Sequence, residues 1–115
     1  MEHKELDVWK RSMELVEVIY RVTEKLPKSE IYRLSSQMRS AAVSIPSNIA
    51  EGAARKGSKE FIQFIHIALG SLAELETQYI LAQRLGYLED DENTSDLITS
   101  VKRLLLGTRN FMQRN

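Results

Sequence analysis

Cysteine is absent from this 115-residue chain, which excludes disulfides and thiolate metal sites and suits a reducing cytoplasm. Aromatic residues make up 7%, leaving little for the stacking platforms that hold single-stranded bases. An excess of one charge is also missing, because sixteen basic side chains balance sixteen acidic ones. That argues against a protein whose main business is coating nucleic acid. No apolar run approaches the ~18 residues of a membrane span, and the opening MEHKELDVWK has no signal-peptide core. The expectation is a soluble, cytoplasmic, single-domain protein.

Charge is present but uneven. Residues 29–60 carry Arg33, Arg39, Arg55, Lys56 and Lys59 against Glu30, Glu51 and Glu60. Residues 61–93 carry Arg84 alone against Glu74, Glu76, Glu89, Asp90, Asp91 and Glu92. A bipolar surface follows, suited to a local acidic partner or to pairing with itself.

Glycine and proline number five and two, and no strand pattern, repeat or low-complexity tract appears. The spacing predicts four helices. The first covers about residues 4–26, with Leu6, Trp9, Met13, Val16, Ile19, Tyr20 and Leu26 as its apolar positions, ending at Pro27. Ser29 is the expected cap of the second and Ser58 of the third. Phe61, Ile65, Ala68, Leu72, Leu75, Tyr79 and Leu85 line the third until Gly86 stops it. After EDDENTS, Leu97, Val101, Leu104, Leu105, Thr108 and Phe111 belong to the fourth. Short connections make consecutive helices antiparallel neighbours, so the fold class is all-α, an up-down four-helix bundle.

Residues 41–59, AAVSIPSNIAEGAARKGSK, admit two readings. Gly52 and Gly57 have the glycine spacing of a phosphate loop, but Gly-Ser-Lys follows where Gly-Lys-Ser is needed. In that order lysine reaches the phosphates and the hydroxyl ligates magnesium. No buried strand precedes it either. The helical reading fits better. Leu34, Met38, Ala41, Ala42, Ile45, Ile49 and Ala53 keep one helical phase straight through Pro46. A helix kinked at Pro46 is therefore favoured over a break with Ser44 capping a new helix. Gly57 is then the expected stop.

With those residues placed, the chain resembles the four-helix-bundle proteins of the 23S ribosomal RNA intervening-sequence type. LVEVIYRVTEKLP, SEIYRLSSQMRSAAVSIPSNIAEGAARKGSKEF and IALGSLAELETQYILAQRLGYL carry the likeness, over roughly residues 6 to 88. The resemblance implies an antiparallel bundle that assembles as a homo-oligomer, a pentameric ring in described members. It also implies a bacterial setting and a connection with nucleic acid. The family often carries an arginine where this chain has Ser40, which thins the basic surface beside Arg39.

Candidate constellations are few. His66 shares a polar stripe with Gln63 and Glu74, but a bundle metal site wants Glu-x-x-His, so neither metal nor other cofactor is expected. Glu51, Glu74 and Glu76 lack a nucleophile or oxyanion partner, and no catalytic residue is assigned. Gln37, Asn48, Glu51, Ser71, Glu74 and Gln78 read instead as a polar network that fixes helix register or a subunit interface. Arg33, Arg39, Arg55, Lys56 and Lys59 are the nucleic-acid candidates, through phosphate contacts at the bundle ends. The expected function is a non-enzymatic oligomeric interaction module that binds RNA, DNA or a nucleic-acid enzyme. The alternatives are a scaffold without a nucleic-acid role and, third, an enzyme of unrecognised type.

Overall fold

A computed structural model describes residues 1–114. Its helices are α1 (Asp7–Thr23), α2 (Ser36–Ala53), α3 (Ser58–Arg84) and α4 (Glu92–Arg114). Each packs on the next and α4 closes back on α1, giving an all-α bundle about 45 Å long. The core is Leu15 and Ile19 from α1, Met38, Ile45 and Ile49 from α2, Ile65 and Leu75 from α3, and Val101 and Leu105 from α4. No helix among the described residues is long and apolar enough to cross a membrane.

The helix ends show where local chemistry differs from expectation. Thr23 closes α1 three residues before Leu26, its hydroxyl donating to the Ile19 carbonyl at 2.7 Å. The chain then makes a 3-10 turn (Lys28–Glu30) and a wide π turn (Ile31–Ser35) before α2. Glu30 rather than Ser29 supplies the capping oxygen there, accepting from the Leu34 N–H at 3.4 Å. At α3, Ser58 is the first helical residue and Gly57 stands at the cap position without a side-chain bond. Gly57 does not stop α2 either, which ends at Ala53 through the Ala54 and Arg55 N–H groups bonding back to Ala50 and Gly52.

Gly86 does stop α3. At φ +77° it occupies the left-handed region that favours glycine. Its N–H bonds to the Gln83 carbonyl and that of Tyr87 to the Ala82 carbonyl, each at 3.0 Å. This pair is the Schellman closure. Asp91 then opens α4, its carbonyl accepting the Ser95 N–H at 3.0 Å and its carboxylate the Thr94 hydroxyl at 2.7 Å.

α2 runs through Pro46 as one helix, with the proline buried. The Ser44 hydroxyl caps nothing. It shares a 2.8 Å hydrogen bond with Ser71 of α3 and accepts from the Asn48 amide. All seven members of the expected α2 apolar stripe are buried. Residues 52–59 are therefore a helix end, a turn and a helix start, and no strand leads into them. Gly52 has a packing role: a Cβ there would stand 2.7 Å from Phe64 Cβ and 2.8 Å from Phe61 Cδ1.

Candidate nucleic-acid interface and the faces beside it

The five basic candidates all sit on or beside α2, but the helix spreads them apart. Arg55, Lys56 and Lys59 gather at the α2–α3 turn, all exposed. Arg33 lies before the other end of α2, about 30 Å away at 1.5 Å per residue. Arg55 is partly engaged, with its Nη2 3.2 Å from Glu51 Oε1 and its guanidinium 5.0 Å from the centre of the Phe64 ring. Lys56, Lys59 and Arg33 make no ion pair or hydrogen bond with a described residue. The turn thus presents two free ammonium groups and a half-satisfied guanidinium, which attract phosphate without imposing a geometry.

Arg39 is different in kind. Its Nε donates to the Thr23 hydroxyl at 2.8 Å, its Nη2 donates to the Tyr20 carbonyl at 3.3 Å, and the group stacks 4.7 Å from the Tyr20 ring centre. Thr23 passes the restraint on by bonding into its own helix. The guanidinium is therefore held in one orientation, half-buried, with further donors unused. No carboxylate among the described residues lies within 4 Å of it.

The polar candidates divide similarly. Asn48 donates to the Ser44 carbonyl at 2.8 Å and to its hydroxyl at 3.0 Å. Through Ser44 it is linked to Ser71, which ties α2 to α3 beside Pro46. Gln78 is buried on α3, and its Oε1 has no hydrogen-bond donor among the described residues. Glu51 pairs with Arg55, while Gln37 and Glu74 are exposed. The six residues thus do not form one connected network.

His66 is exposed, and no group of three or more His, Asp or Glu side chains among the described residues is placed to hold a metal ion. The hydroxyls whose acidity the fold alters lie toward the other end of α3. Burial pushes the Tyr79 hydroxyl above its ordinary value, aided by its contact with Asp90. Tyr87 is raised chiefly by its 2.8 Å hydrogen bond to Glu30. Both groups tie loops together: Tyr79 also accepts the Asp91 N–H at 2.7 Å.

A feature missed by the periodicity reading lies on α1. The expected apolar set followed the outer stripe: of the apolar α1 residues that enter the core it named Ile19 and missed Val8, Leu15, Val18 and Val22. Val8, Leu15, Val18, Ile19 and Val22 enter the core together with Ser12, whose hydroxyl donates to the Trp9 carbonyl at 2.9 Å. Trp9, Met13, Val16 and Tyr20 form a second stripe at helical spacing, with Met13 and Tyr20 exposed. It faces α2 across a groove that Val43, Pro46 and Ala50 line on the other side. Tyr32, 93% exposed, stands beside the same groove with Ile31 and Arg39. Between α1 and the start of α4 the surface is the opposite in character, lined by Arg11, Glu14, Glu17, Arg21 and Asp96, while Leu6, Leu104 and Phe111 line an apolar groove nearer the other end of α4. The signal in the sequence was that α1 carries nine apolar side chains, too many for one face.

No curated protein matches the chain. The profile of the 23S rRNA-intervening sequence proteins matches residues 4–107. That span takes in all of α1, α2 and α3 and most of α4, so the chain belongs to the 23S rRNA-intervening sequence protein family.

Proposed function

We propose that this chain is a non-enzymatic, self-associating interaction module that binds RNA or DNA through the basic α2–α3 turn. The observation that carries the first half is the second apolar stripe of α1. Trp9, Met13, Val16 and Tyr20, continued by Ile31, Tyr32 and Val43, leave a contiguous apolar face on a small bundle. Such faces on soluble proteins mark interaction sites, and a chain of this size gains needed burial by covering one. By its family's likeness the assembly is a homo-oligomeric ring, pentameric in form.

The nucleic-acid half is supported by Lys56 and Lys59, which have no counter-charge among the described residues, and by membership of a family named for the intervening sequences of 23S rRNA. One such turn is a weak site on a chain of zero net charge. Repeated around an oligomer it becomes a multivalent one, with affinity built from several weak phosphate contacts. The reading is tested by titrating purified protein with a single-stranded RNA at several salt concentrations. Binding should weaken steeply with salt, and replacing Arg55, Lys56 and Lys59 with Ala should lower affinity about tenfold or more and flatten the salt slope. Salt-independent binding, or an unchanged slope in the triple variant, overturns the nucleic-acid role. A scaffold without that role would then remain.

A further inference from the structure

Exposed apolar residues lie on two different sides of α2, and each side carries a charged side chain with no counter-charge among the described residues of its own copy. We infer that these two sides are complementary halves of a head-to-tail contact between copies of this chain, with Arg39 of one copy facing Glu74 of the next. The inference rests on the self-association proposed above and names the surfaces that make it.

The first half is the α1–α2 groove already described, where Tyr20, Tyr32 and Val43 surround Arg39. The second half is on α3. Ile67, Glu74 and Leu81 recur at heptad spacing and Leu85 falls five helical turns beyond Ile67, so the four share one narrow stripe. Ile67, Leu81 and Leu85 are 50%, 44% and 52% exposed. Glu74 lies midway between Ile67 and Leu81, with Gly70, Ser71, Thr77 and Gln78 one turn away, exposed and without an ion pair or hydrogen bond among the described residues.

Each charge is out of place on its own copy. Glu74 has no ion pair, and the Arg39 guanidinium, held by the Thr23 hydroxyl and the Tyr20 ring, has no carboxylate within 4 Å among the described residues. Brought together and desolvated, the two charges satisfy each other and set the register of the contact. They do not meet within one copy, because Arg39 is turned to Thr23 and Tyr20 of α1 while Glu74 projects from α3. Pre-orientation by Thr23 lowers the ordering cost of using Arg39 in a contact.

A contact between two unlike surfaces is heterologous, and repeating it closes a ring when the rotation allows. This suits the assembly expected of the family and excludes a simple two-fold dimer as the main contact.

Light scattering on three proteins tests the pairing. The wild-type protein should run as an assembly, Glu74→Arg should reduce it to 13.2 kDa monomers, and Arg39→Glu with Glu74→Arg should restore the assembly. An assembled wild type with an unaffected Glu74→Arg overturns the pairing while leaving self-association intact. A monomeric wild type overturns self-association and the pairing with it. Arg39 also braces α1, so a second measurement covers misfolding of the double variant. The chain has no cysteine of its own, so copies bearing Ser40→Cys and copies bearing Thr77→Cys, on the exposed turn beside Glu74, can be mixed and treated with a short bismaleimide. Cross-links between unlike copies are expected; cross-links only between like copies contradict the pairing.

Discussion

Gly52 shows how one missing methyl group sets the distance between two helices. Any Cβ there meets the Cβ of Phe64, an atom that cannot move without carrying α3 with it. Alanine would gain up to about 1 kcal/mol of helix propensity, but overpacking typically costs about 1–3 kcal/mol. Gly52→Ala should therefore lower the urea midpoint with an unchanged denaturant slope; a raised midpoint would contradict the close approach. Tyr79 makes a second residue-scale case. Its hydroxyl accepts the Asp91 N–H, so Tyr79→Phe leaves a backbone donor unpaired and should cost about 1–3 kcal/mol. The same hydroxyl gives a pH signature. Burial raises its proton affinity in the folded state, so the folded protein holds this proton more tightly than the unfolded one. The stabilisation is complete below the ordinary tyrosine value near 10 and is lost as pH rises through the folded value. Thermal melts from about pH 9 to 11 should thus fall more for the wild type than for Tyr79→Phe. Parallel curves would rule out that assignment.

At the scale of the element, α2 is the helix whose sequence looked least like one. Pro46 removes a backbone donor, yet the apolar phase of Leu34, Met38, Ala42, Ile45 and Ile49 is unbroken, and all five are buried. Phase is a tertiary signal: it reports which side must leave water, and that outweighs one lost hydrogen bond. The Asn48–Ser44–Ser71 link holds the segment to α3. Asn48→Ala should destabilise by about 1 kcal/mol, read as a shift in the denaturation midpoint; no shift would mean that water replaces the link.

The helix ends were less legible for a physical reason. Ser29 and Glu30 are adjacent, both able to cap, and only the π turn that follows decides that the Glu30 carboxylate reaches the Leu34 N–H. On α1 the periodicity marked a helix correctly but picked mainly its outer face, missing Val8, Leu15, Val18 and Val22. A serine at position 12, buried by bonding its own backbone, looks polar in sequence, while Met13 beside it looks like core and is exposed. The candidate site was legible mainly as composition. The Arg55–Glu51 pair has the i,i+4 spacing that sequence shows, but the engagement of Arg39 by Thr23 and Tyr20 arises from the packing of α2 on α1.

For the whole molecule, the asymmetry of its sides matters more than its net charge. Toward the start of α4 the α1–α4 side is charged, with Arg11 and Glu14 2.6 Å apart, whereas the α1–α2 side carries the groove of Trp9, Met13, Val16 and Val43. A 13.2 kDa bundle that exposes such a groove gains burial by the assembly proposed above. Assembly also underlies the proposed binding of nucleic acid, because it multiplies a turn too weakly charged to act alone. The most direct test is sedimentation equilibrium of the wild-type protein from about 1 to about 100 µM, the range in which contacts of micromolar Kd populate. The account predicts a mass that is a multiple of 13.2 kDa. A single species of 13.2 kDa throughout would contradict it.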